Sequence, residues 1–465
     1  VLLNQHPAAA QPAHPSSPRS ALDLKPTSVL AQQHPTSTGT QAAKPLCLHY
    51  QDLAHAARLQ APGRGATTVN NRFLVNFLGL ATVSGATIGM AKIVTTLYAL
   101  EIGATPLQIG IISAMEALGM VFLTLPAGFV IARYGTRRVY FLASLGPLLL
   151  NLAIPLFAHW LWLAAARLLI GLCIPFRIVA MNSAFLQQLR HIGLGKAGWY
   201  RCALTAGMGI LGPLLGNWLS GGAGYGVAFG LIAASFGFMA LYSLGFWSAE
   251  SAPLAEPASG APEAGFLAQV KAMLGSPEIA ESCLLEMLGS SSGALYGTFV
   301  LLLAMDVAGL GRDQAVSLVM IQGVSAVLAL FGLGTLVQRC GRDRAYLLAL
   351  VVGLAALVLL GQARHYGLLA LGGVLLSLAA ALLHLVNMGR LSELPVDKSK
   401  VSGLYNLASM LGGFGGAMLG GLLSQWVGLE HLFLCWIPLV LVVALACRLL
   451  AVQRSRRTPS LASEN

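Results

Sequence analysis

Two stretches of the chain carry the decisive pattern: Gly128-Phe129-Val130-Ile131-Ala132-Arg133-Tyr134-Gly135-Thr136-Arg137-Arg138 and Gly334-Thr335-Leu336-Val337-Gln338-Arg339-Cys340-Gly341-Arg342-Asp343-Arg344. They align without a gap. Each reads Gly, four residues, Arg, one residue, Gly, then basic residues. In each, the first Gly is expected to let two helices approach closely and the second to permit a tight turn, while the arginines stay in water at the helix ends. Recurrence at equivalent places in two halves of one chain marks an internal repeat.

Outward from these stretches, apolar runs alternate with short polar breaks from Arg72 onward. Twelve such runs are expected, at about 73–99, 107–131, 139–158, 161–184, 199–220, 226–247, 279–304, 315–337, 345–362, 367–389, 401–424 and 431–450. Each is long enough to cross a hydrocarbon layer of roughly 30 Å as a helix. The two glycine-arginine stretches follow the second and the eighth run. The one long internal connection, with Glu250, Pro253, Glu256, Pro257, Pro262 and Glu263, splits the runs six and six. The predicted fold is therefore all-α and polytopic, with twelve transmembrane helices in two pseudo-symmetric six-helix halves. The expected boundaries are a tail over 1–71, a first half over 72–247, a linker over 248–277, a second half over 278–450 and a basic tail over 451–465.

Composition agrees with this reading. Of 465 residues, 10% are charged and 56% hydrophobic, and the mean hydropathy is +0.73; soluble domains carry roughly 25% charged residues. The 53 glycines would weaken soluble helices but suit membrane helices, where small residues let backbones pack closely. The net charge of +11 invites a nucleic-acid reading until its location is examined. With the amino terminus inside, the inside breaks hold Arg133, Arg137 and Arg138, then Arg190, Lys196 and Arg201, and the second half continues with Arg339, Arg342, Arg344, Arg390, Lys398 and Lys400. The outside breaks hold only Arg312 and Arg364. Such a bias places both termini in the cytoplasm and explains the charge without a nucleic-acid partner.

The first 71 residues are rich in Pro, His, Ser, Thr, Ala and Gln, and are expected to be disordered. The first Met is Met90, so much of that tail is expected to lie upstream of the true start. The seven cysteines show no paired spacing and sit mostly in apolar runs, so neither a disulfide framework nor a metal site is expected. No nucleophile with a base and no phosphate-cradling loop is found, and no cofactor is expected.

The repeated stretches, placed after the second and eighth runs, resemble the loop motif of the major facilitator superfamily. The resemblance covers residues 72–450. It departs at one position: the family motif has Asp before the first Arg, where this chain has Ala132 and Gln338. The gating salt bridge that the family pattern implies is thus weakened or replaced here. Arg167-Leu168-Leu169-Ile170-Gly171 resembles the Arg-x-x-x-Gly pattern associated with proton coupling in drug:proton antiporters. Gly212-Pro213-Leu214-Leu215-Gly216-Asn217 resembles their Gly-Pro-x-x-Gly-Gly stretch, with Asn217 in place of the last Gly. The resemblance therefore points to the drug:proton antiporter-like branch, and ordinary glycine-rich helix packing is the alternative for the second stretch.

Ionisable side chains within hydrocarbon cost about 2.5–3.5 kcal/mol each on insertion scales, so they tend to face a cavity or a partner. Here they are Lys92, Glu116, Arg167, Arg177, Glu281, Glu286 and His384, mostly on the first, fourth, seventh and tenth runs. In the fold this chain resembles, those four helices line the central cavity. Lys92, Arg167 and Arg177 are expected to form a positive site for an anionic or zwitterionic solute, with Asn182, Tyr296 and Asn387 completing it. Arg167, Glu116, Glu286 and His384 are the candidates for proton coupling. Structural roles stand beside these: backbone bonding for Arg167, snorkelling for Lys92, pairing for Glu116, core packing for His384 and an interfacial place for Glu281. The run Ser290-Ser291-Ser292-Gly293 is expected to loosen the seventh helix.

The resulting expectation is a monomeric proton-coupled secondary transporter in the cytoplasmic membrane, moving a small organic solute, preferentially outward. Its partners are the lipid bilayer, the solute and protons. Proton- or anion-coupled uptake is the nearer alternative, and a non-transporting membrane sensor or scaffold the remote one.

Overall fold

A computed structural model describes residues 64–192, 197–246, 271, 273–362, 364–393 and 398–461. The tail expected over 1–71 lies outside these residues except for its last turns, where the first helix already begins at Arg64. Most of the linker and the end of the basic tail also lie outside them.

Among the described residues there is no strand, and eleven helices are long and apolar enough to cross a membrane. One of these, Gly403–Leu449, turns at Gly428, whose φ of 74° and ψ of 169° are non-helical. It therefore makes two passages, which gives the twelve spans expected from the hydropathy pattern. The first four spans are Arg64–Glu101, Pro106–Tyr134, Thr136–Ala153 and Trp160–Ile192. The fifth runs from Ala197–Ala206 through a π-turn at Gly207–Leu211 into Gly212–Gly222, and the sixth is Tyr225–Phe246. Pro277–Leu302, Arg312–Cys340, Arg342–Gln362 and Tyr366–Glu393 form the seventh to tenth, and Lys398–Leu461 holds the last two. The end where the first span begins is called here the terminal face, and the opposite end the distal face.

The internal repeat extends along a whole span. At the start of the second, the Thr105 amide donates to Gln108 Oε1 at 2.9 Å, and at the start of the eighth the Gly311 amide donates to Gln314 Oε1 at 3.3 Å. At their ends, Gly135 (φ 84°) and Gly341 (φ 79°) cap the helices by donating to Ile131 O and Val337 O. Positions 105, 108, 128, 133 and 135 thus correspond without a gap to 311, 314, 334, 339 and 341. The left-handed φ is what requires Gly at the second motif position. The first motif glycine does not serve close approach here, because a Cβ on Gly128 or Gly334 would meet nothing within 4 Å. Arg133, Arg138, Arg339 and Arg342 are exposed, and Arg137 is half-buried.

Close approach occurs elsewhere. A Cβ on Gly212 would lie 2.6 Å from Ala86 O and from Met90 N, so the Gly-Pro stretch seats the fifth span on the first. Between the halves, a Cβ on Gly110 would lie 2.8 Å from Ala417 O, and one on Gly209 2.9 Å from Gly323 Cα. The halves thus meet along the second and eleventh spans, near the distal end at Gly110, and along the fifth and eighth, at mid-span where Gly209 faces Gly323. Large apolar side chains such as Phe122, Phe129, Leu142, Trp218, Phe331 and Trp426 point outward, as helices facing lipid require.

Candidate functional site

A cavity of about 470 Å³ lies between the halves. The first span contributes Lys92, Thr95 and Thr96 to it, the second Ser113, Glu116 and Met120, and the fourth Arg167. From the second half come Ser290 and Thr298 of the seventh span, and Ser409 and Met410 of the eleventh. Among the described residues no aromatic side chain lines it. Arg167 and Glu116 form an ion pair through Nη2 and Oε2, with side chains only 4% and 9% exposed. Their charges cancel. Lys92 is exposed to the cavity and has no ion-pair partner among the described residues, although its carbonyl accepts from Thr96 Oγ1 at 3.1 Å. The formal charges on the wall therefore sum to one unit positive, set among hydroxyl groups.

A second, smaller cavity of about 220 Å³ lies on the terminal side, lined by Glu286, Ser290, Gln322, Ser377 and His384. Tyr405 donates its hydroxyl hydrogen to Glu286 Oε2. His384 Nδ1 stands 3.2 Å from the Tyr405 hydroxyl and 3.8 Å from Glu286 Oε2. Ser290 donates to Glu286 Oε1 at 3.3 Å, and Ser290 and Ser409 are hydrogen-bonded at 2.6 Å. Ser290 lines both cavities. Carboxylate, imidazole and phenol in mutual reach make a group that can hold and pass a proton.

The sequence profile of the Major Facilitator Superfamily matches residues 77–333 and 290–465. The chain belongs to the major facilitator superfamily. Among solved structures, the nucleoside transporter NupG is similar at 13% identity and a TM-score of 0.68, over 81% of this chain and 98% of that one. A bacterial homolog of the human lysosomal transporter Spinster, in an inward-facing and unoccupied conformation, is similar at 15% identity and a TM-score of 0.65, over 82% and 96%. These likenesses are of fold. Among curated protein sequences none matches. The protein is thus a multi-pass membrane transporter of this superfamily and not an enzyme.

This facilitator does not assemble the three expected cations into one site. Arg177 is 3% exposed and lies inside the first half, where its Nε donates to Ser144 Oγ at 3.0 Å and its Nη2 to Tyr140 Oη at 3.1 Å. Its guanidinium also lies 4.5 Å from the Phe236 ring centroid. Enclosed in this way, Arg177 does not line the cavity that Arg167 borders. Tyr296 is fully buried, with its hydroxyl donating to Leu318 O at 3.3 Å. Asn387 is equally buried and ties the tenth span to the seventh by donating to Ser282 O at 3.3 Å. Neither lines the central cavity, and Asn182 is exposed near the terminal end of its helix. Glu281 pairs with Arg390 at 2.7 Å, outside both cavities.

The seventh helix runs unbroken through Ser290-Ser291-Ser292-Gly293, contrary to the expected loosening. Its hydroxyls are engaged: Ser291 donates to Leu288 O, and Ser292 accepts from Trp436 Nε1. Sequence reasoning missed Tyr405 and Ser409 altogether. A signal was present, because Glu286 and Ser290, and Tyr405 and Ser409, are each four residues apart and so share a helix face in otherwise apolar spans.

Proposed function

We propose that this facilitator is a proton-coupled secondary transporter of a small organic anion, working by alternating access as a monomer in the cytoplasmic membrane with both termini inside. The observation that carries the reading is Lys92, an ammonium facing the cavity beside an arginine already neutralised by Glu116. An unpaired positive charge in a low-dielectric cavity attracts an anion and repels cationic cargo. The surrounding hydroxyls suit polar groups on the solute. Glu286 and His384, bridged by Tyr405, are the proton carriers in this reading.

The contacts of Asn217 with Arg312 and Asp313 support a conformation closed at the distal face. The Gly212-Pro213 stretch and Arg167-x-x-x-Gly171 support export, with drugs, metabolites and chelators such as siderophores as candidate cargo. Uptake together with a proton is the second reading; it is favoured by the contact of Ser290 with both the cavity and Glu286.

Purified protein in proteoliposomes under an imposed pH gradient tests the proposal. A panel of labelled organic anions, neutral solutes and organic cations should show gradient-driven movement of anions, in a direction that decides between export and uptake. Movement of cations in preference to anions, or flux indifferent to the gradient, overturns it.

A further inference from the structure

Glu286 and Tyr405 face one another across the seventh and eleventh spans, and Ser290 and Ser409 face one another one turn farther toward the distal face. The two contacts are successive rungs between the same two helices. Their spacing is held by backbone approach: a Cβ on Gly412 would lie 2.9 Å from Met287 Cα, and one on Gly416 2.7 Å from Ser291 Cα. The upper rung borders the central cavity on both sides, whereas of its two serines only Ser290 also borders the smaller one.

A hydroxyl carries one hydrogen, and this makes the pair directional. While Glu286 is ionised it only accepts, so Ser290 gives its hydrogen to Oε1 and accepts from Ser409 at 2.6 Å. Ser409 then offers only lone pairs to the cavity. With a proton on Oε1 the order reverses: Glu286 donates to Ser290, Ser290 to Ser409, and the Ser409 hydrogen is released toward the cavity. The added proton forms the carboxyl O–H bond, and the two serine O–H bonds persist and only rotate.

We propose that Ser290 and Ser409 are positioning residues that convert the protonation state of Glu286 into donor or acceptor character at the wall of the central cavity. The inference rests on the proton-coupled reading above and names the regulation of that site. By linkage, a solute that presents an acceptor to Ser409 binds more tightly when Glu286 is protonated, and one that presents a donor binds less tightly. Co-movement or exchange of proton and solute then depends on which group the cargo turns toward one hydroxyl. The groups facing Glu286 are His384 from the tenth span, Tyr405 from the eleventh and the Cys283 thiol on its own helix. From the eighth span the uncharged Gln322 lines the same cavity, and the second span's Glu116 is held by Arg167.

The test has two arms on the full chain in lipid. In the first, without any solute, infrared difference spectra follow the carboxyl band that Glu286→Gln abolishes. Ser409→Ala is expected to move that band and its titration midpoint in the same sense as Ser290→Ala, and Ser409→Thr is expected to restore both. Because Ser409 also bonds to Glu286 directly, the double variant Ser290→Ala with Ser409→Ala decides whether the two hydroxyls act as one: its shift should be smaller than the two single shifts summed, and additive shifts overturn the proposal. A band unaffected by Ser409→Ala overturns the proposal. In the second arm, Ser409→Ala proteoliposomes should lose most gradient-driven accumulation, and solute affinity, whatever its strength in the variant, should no longer change with pH. Retention of full accumulation overturns the link. If wild-type protein shows no gradient-driven flux, the functional reading fails, and the infrared arm still decides on the serine pair.

Discussion

Arg312 Nε, at the head of the eighth span, donates to Asn217 Oδ1 in the fifth at 2.9 Å, across the boundary between the two six-helix halves. Asn217 Nδ2 in turn donates to Asp313 Oδ1 at 2.6 Å, and Arg312 also reaches the Ser220 hydroxyl. Asn217 is the residue that departs from the Gly-Pro-x-x-Gly-Gly stretch. Its side chain supplies a distal clasp that a glycine there could not. Hydrogen bonds of this kind are worth about 1 kcal/mol each, so Asn217→Gly should release about 2 kcal/mol and shift the balance of distally closed and open forms about thirtyfold. Spin-label distances between the distal ends of the fifth and eighth spans measure this; an unchanged distribution shows that the clasp does not hold the face.

The Glu116–Arg167 pair is buried, and removing one partner leaves the other charge without compensation. Glu116→Gln alone is expected to cost about 3–5 kcal/mol. The double variant Glu116→Gln with Arg167→Gln should lose less than the single ones summed. Thermal unfolding of the four proteins in detergent gives the coupling energy, and additive losses would exclude the pairing.

Lys92 and Arg177 should separate function from folding. Lys92→Gln is expected to abolish anion flux with normal abundance and melting temperature, since its ammonium has no ion-pair partner to leave behind among the described residues. Arg177→Met should instead lower thermal stability by about 1–3 kcal/mol, because Ser144 and Tyr140 lose a buried donor. Radiolabelled flux and melting curves on both variants distinguish the roles.

His384 Nδ1 stands 3.2 Å from the Tyr405 hydroxyl and 3.8 Å from Glu286 Oε2, so His384→Gln is expected to weaken gradient-driven accumulation and to change the pH–rate profile, and Glu286→Gln to remove gradient-driven accumulation while leaving exchange. A pH–rate profile for His384→Gln that matches wild type would take His384 out of the mechanism.

Gly212→Val places two methyl groups and a Cβ where Ala86 O and Met90 N already stand 2.6 Å from the Cβ position. The first and fifth spans must part, at a cost of about 1–3 kcal/mol. A cysteine pair across those spans should cross-link less efficiently in this variant, and unchanged cross-linking would show that the contact yields without strain.

The number of spans, the division into two halves and the repeat were legible in the residues, because partition between water and hydrocarbon is a sum over local sequence. So were the helices that carry buried charge: Lys92, Arg167, Glu286 and His384 all border one of the two cavities. Which charges meet was not legible. Lys92 and Arg167 share a wall, Arg177 is enclosed by Tyr140, Ser144 and Phe236, and Glu286 finds Tyr405 on a span where the sequence reading placed nothing. Those pairings depend on the rotation of each helix about its axis and on the glycine contacts that set helix separations. Both arise from packing between residues far apart in the chain, which local hydropathy and motif spacing do not encode. Local residue chemistry is enough to specify a two-halved membrane protein with ionisable groups on defined helices. Packing between distant spans leaves Lys92 without an ion-pair partner among the described residues and lets two serines connect the central cavity to a carboxylate.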